Sequence, residues 1–250
     1  MPDALAAAFA TPGLGWLVAA VFVAGMVRGF AGFGTAMVYL PVAGQFLDPF
    51  EALTTLVVMD MIGPLVNMPR ALRDGHKRDL VRLAAGLVIG LPVGLWALTQ
   101  VAPEVFRYAV SIAALVLLSL LIGGVRFRGE LRGGLVTLAG WLGGLLGGAT
   151  GLVGPPVIML YMAAPHRASV IRANITVYLY MADVLMLGVM ALFGRFVPGA
   201  LVLGLVLAAP YLAGNAMGGW LFRPGAERTY RMVAYAIIAA SAISGLPLLG

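Results

Sequence analysis

Charged residues are scarce in this chain of 250 residues: 16 are Lys or Arg and 10 are Asp or Glu, together 10% of the sequence. A soluble domain carries about 25% charged residues, because they coat its surface. The shortage of charge therefore excludes a soluble enzyme, a nucleic-acid-binding domain and a disordered protein. Cysteine is absent, which excludes disulfides, thiolate metal sites and covalent haem attachment. We expect no cofactor and no bound metal.

Apolar residues dominate instead, at 62% of the chain, and the mean hydropathy is +1.01. Runs of about 20 apolar residues, long enough to cross the hydrocarbon core of a bilayer, repeat along the sequence. Eight such segments lie at about residues 14–43, 51–69, 81–100, 105–123, 134–163, 169–193, 197–221 and 230–248. The sequence therefore predicts an all-α polytopic membrane protein.

The first and fifth segments are unusually long and are interrupted by glycine. Glycines stand at 29, 32 and 34 in one segment and at 148, 151 and 154 in the other, about 120 residues later. This spacing indicates an internal duplication. We predict one integral membrane domain with a first repeat at residues 1–125 and a second at 126–250. Each repeat is predicted to hold a broken-helix hairpin followed by three transmembrane helices.

The basic residues favour segments one and five as hairpins that enter the membrane and return. With that topology, every Lys and Arg outside the first break lies on one side except Arg107 and Arg195, whereas eight full crossings would divide them more evenly. The positive-inside rule favours the hairpins, so we predict two inverted repeats. The chain has 15 Arg and one Lys; this bias, with its Ala and Gly richness, suggests a GC-rich bacterial gene and a multi-pass protein of the bacterial cytoplasmic (inner) membrane.

Interrupted helices at membrane depth point to a central site. Backbone that is not helical at that depth must be buried in protein or line a polar cavity. After each break a second half-helix is predicted to begin, at Thr35 and at Pro155-Pro156, since proline is favoured at the first helical position. A helix N-terminus presents N–H groups and the positive end of its dipole, which favours an anion. The alternative is that these glycines only allow close helix packing.

At these breaks the sequence resembles the sulfite exporter TauE/SafE family of membrane transporters. Gly-Phe-Ala-Gly-Phe-Gly-Thr-Ala-Met-Val-Tyr-Leu-Pro (29–41) is similar to the first-repeat motif of that family, and Gly-Ala-Thr-Gly-Leu-Val-Gly-Pro-Pro-Val-Ile-Met-Leu-Tyr (148–161) to the second. The resemblance covers the whole chain. It implies secondary transport of a small organosulfur anion such as sulfite, a sulfonate or sulfoacetate, and some members are associated with carboxylates.

Ten residues from the breaks and the segments after them are predicted to bind the substrate. They are Arg28, Gly32, Gly34, Thr35, Thr54, Thr55, Gly151, Gly154, Arg172 and Asn174. Arg28 is the predicted charge partner, because a planar guanidinium binds a sulfonate or carboxylate with two hydrogen bonds; its alternative is a structural ion pair. The resemblance implies that Thr54, Thr55 and Asn174 face the cavity, and their alternative is hydrogen bonding between helices. The alternative for Arg172 is extension to the membrane interface.

Asp60 and Asp183 are the only acidic residues deep in the apolar segments. A carboxyl group there can take up a proton, so both are predicted to couple transport to the proton gradient; the alternative is to neutralise an arginine. Asp60, Pro64 and Asn67 are predicted to share one face of a helix kinked at Pro64. Both histidines, His76 and His166, are interpreted as solvated loop residues.

The favoured function is a secondary transporter of a small organic or inorganic anion. An anion channel and a carrier of small carboxylates such as malonate or oxalate stay open, because broken helices suit a pore as well as a carrier. The sequence argues against an intramembrane enzyme, since it has no Gly-x-Ser-x-Gly, no His-Glu-x-x-His and no close pair of buried carboxylates. The expected partners are the anion and the lipid bilayer, without nucleic acid, and a homodimer is left open.

Overall fold

The computed structural model describes residues 2–124, 132–161, 167–221 and 227–246. Within these ranges the chain forms twelve α-helices and no strand. The helices are α1 (Pro2–Phe9), α2 (Leu14–Ala31), α3 (Thr35–Ala43), α4 (Pro49–Ile62), α5 (Met68–Asp74), α6 (Lys77–Thr99), α7 (Pro103–Ile122), α8 (Gly133–Thr150), α9 (Gly154–Tyr161), α10 (Ala168–Leu192), α11 (Pro198–Leu221) and α12 (Glu227–Ser244). The predicted repeat boundary at residues 125–126 lies outside the described residues, and so does His166.

Each predicted apolar segment coincides with helix. The first segment is α2 followed by α3, the fifth is α8 followed by α9, and the rest match α4, α6, α7, α10, α11 and α12. In the described part of the chain, six helices are long and apolar enough to cross a membrane: α2, α6, α7, α8, α10 and α11. A seventh candidate joins Pro49–Leu65 and Met68–Asp74 across a break, and α12 is apolar but shorter. The all-helical prediction is confirmed, while the inverted arrangement of the repeats stays a prediction.

Glycine causes the interruption in both broken segments. Gly32 ends α2 and Gly151 ends α8, each in the left-handed region with φ of 79° and 77°. Each donates its N–H to the carbonyl four residues earlier, which is a usual way for glycine to end a helix. The second half-helices then begin at Thr35, as predicted, and at Gly154, one residue before the predicted Pro155-Pro156.

The chain packs into two compact units, and neither unit is one half of the sequence. Unit 1 holds residues 1–62, 102–118 and 195–250, and unit 2 holds residues 63–101 and 119–194. Unit 1 thus combines the first broken segment (α2 and α3) with α4, α11 and α12. Unit 2 combines the second broken segment (α8 and α9) with α5, α6 and α10. The predicted duplication concerns sequence, so it stays a prediction.

In each unit a glycine seam holds the first part of the broken segment against a long helix. The unit 1 seam joins α2 to α11 through Gly25, Gly29, Gly214 and Gly218. The unit 2 seam joins α8 to α6 through Gly140, Gly144, Gly148, Gly86, Gly90 and Gly94. A methyl group on any of these glycines would lie within 3 Å of the opposite backbone. The helices therefore touch backbone to backbone, a packing that small residues permit in membranes.

Candidate functional site

Four polar side chains of unit 1 meet at the first break, and we call them the break cluster: Arg28, Thr35, Asp60 and Tyr211. Each comes from a different helix. Arg28 lies one turn before the glycine that ends α2, and Thr35 is the first residue of α3. Asp60 lies in the last turn of α4, and Tyr211 lies in the middle of α11. The helix break thus places a charge and a hydroxyl beside two neighbouring helices.

The break cluster is a closed ring of hydrogen bonds. Arg28 Nη1 donates to Asp60 Oδ2 at 3.2 Å and to Thr35 Oγ1 at 3.4 Å. Tyr211 donates its hydroxyl proton to Asp60 Oδ1 at 2.6 Å, since an ionised carboxylate only accepts. Thr35 Oγ1 lies 3.3 Å from the Tyr211 oxygen, and with that tyrosine proton already engaged, Thr35 is the donor. In every hydrogen bond of the ring, the donor is therefore on the side of Arg28 and the acceptor on the side of Asp60.

The two charged side chains of the break cluster are partly buried. The side chains of Arg28 and Asp60 are 17% and 14% exposed, whereas Thr35 and Tyr211 are buried. A buried charge that loses its partner is strongly destabilising, so the two ions hold each other in place. Part of each charged side chain thus stays accessible.

Three of the residues predicted from sequence, Arg28, Thr35 and Asp60, thus lie in one cluster. Arg28 forms the ion pair that was its alternative, so binding of an anion by Arg28 stays a prediction. Gly34 adjoins the cluster in the left-handed region with φ of 103°, and Gly32 is exposed. Sequence reasoning missed Tyr211, which lies 151 positions after Asp60; the signal was a tyrosine in an otherwise apolar span.

Thr54 and Thr55 are fully buried in unit 1. Thr54 Oγ1 donates to the Phe50 carbonyl at 2.7 Å. Thr55 bonds to backbone carbonyls of its own helix and lies 2.7 Å from the Tyr39 hydroxyl on α3. These contacts match the alternative of hydrogen bonding within and between helices, and a role in substrate binding stays a prediction.

The prediction of one helical face for Asp60, Pro64 and Asn67 is wrong. The α-helix ends at Ile62, and Gly63–Asn67 form a 3-10 turn. Proline lacks the N–H that would continue the α-helix, and it disfavours the helical conformation of the residue before it. The chain after Ile62 therefore does not continue the α-helix on which Asp60 lies.

The predicted residues of unit 2 are dispersed. Gly151 ends α8 and Gly154 begins α9. Arg172 is exposed near the start of α10, and Asp183 is partly buried further along that helix. Asn174 is fully buried and its amide is engaged on both sides, because Nδ2 donates to Tyr161 at 2.9 Å and Oδ1 accepts from the His76 N–H at 2.8 Å.

Asn174 belongs to a second polar cluster that sequence reasoning missed. Asp79, in the first turn of α6, is only 4% exposed. Its Oδ2 lies 3.2 Å from His76 Nδ1 and accepts from the Tyr161 hydroxyl at 3.3 Å. Arg82 lies 3.8 Å from its other oxygen. His76 is exposed, as interpreted from the sequence, and its ring also contacts this buried carboxylate. In the described ranges, no group of three or more His, Cys, Asp or Glu could hold a metal.

Comparison with known families assigns the chain. Residues 17–245 match the family described as sulfite exporter TauE/SafE. The chain belongs to this family. No curated protein and no solved structure matches the sequence. The TauE/SafE match spans both breaks and all four helices of the break cluster. The family and the apolar helices make the chain a multi-pass membrane protein of a transporter family, not of an enzyme family.

The two breaks of this TauE/SafE chain can be aligned from their contacts. Gly25 adjoins the backbone of Tyr211 and Asn215, and Gly144 adjoins that of Leu87 and Leu91. Tyr211 therefore corresponds to Leu87.

The glycine motifs are offset by 119 positions, from Gly29 to Gly148, and the starts of α4 and α10 share that offset. By the same offset, Gly147, Gly154 and Leu179 correspond to the other three cluster residues, Arg28, Thr35 and Asp60. The second break of the TauE/SafE chain thus has no polar counterpart of the break cluster.

Proposed function

We propose that this TauE/SafE protein is a secondary transporter that carries a small anion across the bacterial cytoplasmic membrane, coupled to the proton gradient. The observation that supports the proposal is the position of Arg28, at a helix break and next to a helix N-terminus. A fixed positive charge within an apolar protein is costly. Its retention beside a polar cluster argues for a negatively charged ligand such as sulfite, a sulfonate or sulfoacetate.

The chemistry of the first break suits such a head group. A guanidinium presents five N–H donors in one plane, and a sulfonate or carboxylate accepts two of them side by side. The N–H groups in the first turn of α3 have no carbonyl partner within the helix, and their dipole favours negative charge. We propose that the anion binds between Arg28 and the start of α3, near Gly34 and Thr35.

Asp60 is the proposed proton carrier, in preference to Asp183. It contacts Arg28 directly, so its charge state changes the ligand site itself. Asp183 lies on α10, which belongs to the other unit. Protonation of Asp60 would release Arg28 from its ion pair, and this links the proton to the anion.

A ligand screen on the purified protein tests the proposal. Sulfite, taurine, sulfoacetate, sulfolactate, malonate and oxalate are compared by thermal shift, since a ligand that binds the native state raises the melting temperature. Malonate or oxalate as the sole stabilising ligand would replace the organosulfur anion with a small carboxylate. Uptake into proteoliposomes against the anion's concentration gradient, driven by a proton gradient, would exclude a channel.

Arg28→Lys is the decisive variant. It keeps the charge but loses the planar fork. Loss of a charge-assisted hydrogen bond removes about 1.5–3 kcal/mol, so the anion should bind roughly tenfold or more weakly by calorimetry. Arg231→Lys, at an exposed position of α12, is the matched control and should bind as the wild type does. Unchanged affinity in folded Arg28→Lys protein would move the site away from the first break.

A further inference from the structure

We infer that Asp60 and the transported anion compete for Arg28, so that the site carries one proton with one singly charged anion and discriminates against dianions. The inference rests on the proposed function, because it takes Arg28 as the anion's partner. It narrows the proposed anions to singly charged ones such as hydrogensulfite or a monosulfonate, against dianions such as sulfoacetate, and it adds the stoichiometry and a role for Tyr211.

The first step is the charge of the site. Arg28 from α2 and Asp60 from α4 are its two charged groups. Two neutral hydroxyls complete the ring: that of Tyr211 from α11, which contacts Asp60, and that of Thr35 from α3, which contacts Arg28 and Tyr211. The paired site is therefore neutral and does not attract an anion. A proton on Asp60 leaves one positive charge, and one monoanion restores neutrality.

The second step is the direction of the hydrogen-bond ring. With Asp60 ionised, Thr35 donates to Tyr211 and Tyr211 donates to Asp60. A proton taken from water onto Asp60 Oδ1 makes that oxygen the donor to Tyr211. The Tyr211 hydroxyl then turns toward Thr35 Oγ1, and the Thr35 hydroxyl is released to the anion. Only rotations about C–O bonds are needed. Tyr211 is thus a positioning residue that transmits the proton's arrival to the anion's hydrogen-bond donor.

The third step concerns a second negative charge. A net charge buried in protein is strongly destabilising unless it is paired. Within the break cluster, Arg28 is the one positively charged residue. A dianion at Arg28 would therefore keep one charge that the cluster does not neutralise.

Calorimetry with methanesulfonate, a monoanion at every working pH, tests the competition. From pH 5 to pH 9 the wild type should bind progressively more weakly, by up to tenfold per pH unit, because binding takes up one proton. Asp60→Asn, which resembles the protonated state, should bind with the same affinity at every pH. Asp74→Asn, at an exposed position of α5, is the control and should keep the wild-type profile. A wild-type profile in Asp60→Asn, or its loss in Asp183→Asn, would overturn the inference.

Two measurements on the wild type alone complete the test. Ethane-1,2-disulfonate, a dianion, should bind at least tenfold more weakly than methanesulfonate. Methanesulfonate uptake into proteoliposomes should be driven by a pH gradient. It should not change when a membrane potential is imposed with valinomycin and potassium. Potential-driven uptake, or equal binding of the dianion, would overturn the inference and leave the proposed function standing. Failure of every tested anion to bind would overturn the proposed function, and the inference with it.

Discussion

The two broken segments share a backbone design and differ in chemistry. Both end their first helix at a left-handed glycine and pack that helix through a glycine seam against a helix from the other half of the chain. Only the first break carries Arg28, Asp60 and Tyr211. The glycines therefore specify the backbone of both breaks. The charged and polar side chains are independent of that backbone and occur at the first break. A glycine motif alone does not identify which break binds the ligand.

A second correspondence separates the structural polar residues from the functional ones. Thr55 and Asn174 are related by the same 119-residue offset. Thr55 bonds to Tyr39 across α4 and α3, and Asn174 bonds to Tyr161 across α10 and α9. The two polar residues thus do the same thing in the two units: each fixes the second half-helix to the helix that follows it. This shared contact favours a structural role for both.

The largest loss of stability is expected from glycine substitutions in the seams, and the loss should be equal in the two units. Gly29→Ala and Gly148→Ala each place a methyl within 3 Å of the opposite backbone, so the helices must separate, at a cost of about 3 kcal/mol of folding stability. The melting temperature in detergent measures the effect. Gly188→Ala on α10, where a methyl meets nothing within 4 Å, is the control. A wild-type melting temperature in either seam variant would contradict the close backbone contact.

Removal of the tyrosine–aspartate hydrogen bond should have a different effect in each unit. Tyr211→Phe removes a bond to ionised Asp60, worth about 1.5–3 kcal/mol. The Asp60 carboxylate then loses a hydrogen-bond donor and competes less well for Arg28, so methanesulfonate should bind more tightly at high pH than it does to the wild type. Tyr161→Phe removes the tyrosine–aspartate bond of unit 2, which lies at other positions than those aligned with the break cluster. It should lower the melting temperature and leave the pH profile of binding in place. A shifted profile in Tyr161→Phe would instead assign proton coupling to Asp79.

The smallest effects are expected from single glycines beside the breaks. Gly34 has φ of 103°, a conformation that alanine adopts at a cost of about 1–3 kcal/mol. Gly154 lies outside the left-handed region, and a methyl there would meet Ile158 and Leu179 at an ordinary 3.5 Å. Gly34→Ala should therefore lower the melting temperature, while Gly154→Ala changes stability by less than about 0.5 kcal/mol. Equal destabilisation would mean that the second break depends on Gly154 as the first depends on Gly34.

Local features of the sequence predicted the helices and the breaks, because apolar run length and glycine act over a few residues. They also singled out Arg28 and Asp60, since a charge within an apolar run stands out by itself. Tyr211 and Asp79 were not predicted, because their contacts arise from packing between helices that are distant in the sequence. Asp79 lies in a basic stretch of the sequence, and its hydrogen bond with Tyr161 joins α6 to α9, 82 positions away. For the same reason, the sequence did not predict that each compact unit combines helices from both halves of the chain.

The interleaving of the two units sets an order for biosynthesis. Unit 2 is complete once residue 194 has been made, whereas unit 1 waits for residues 195–250. Until then α2 lacks its seam partner and Asp60 lacks the Tyr211 hydroxyl. The charged pair therefore enters the membrane before its final surroundings exist, and the helices synthesised last complete the break cluster. Units of a chain that fold as they emerge do so in the order in which they are completed. In this protein the unit whose break lacks the charged pair is completed first, and the unit that carries Arg28 and Asp60 is completed last.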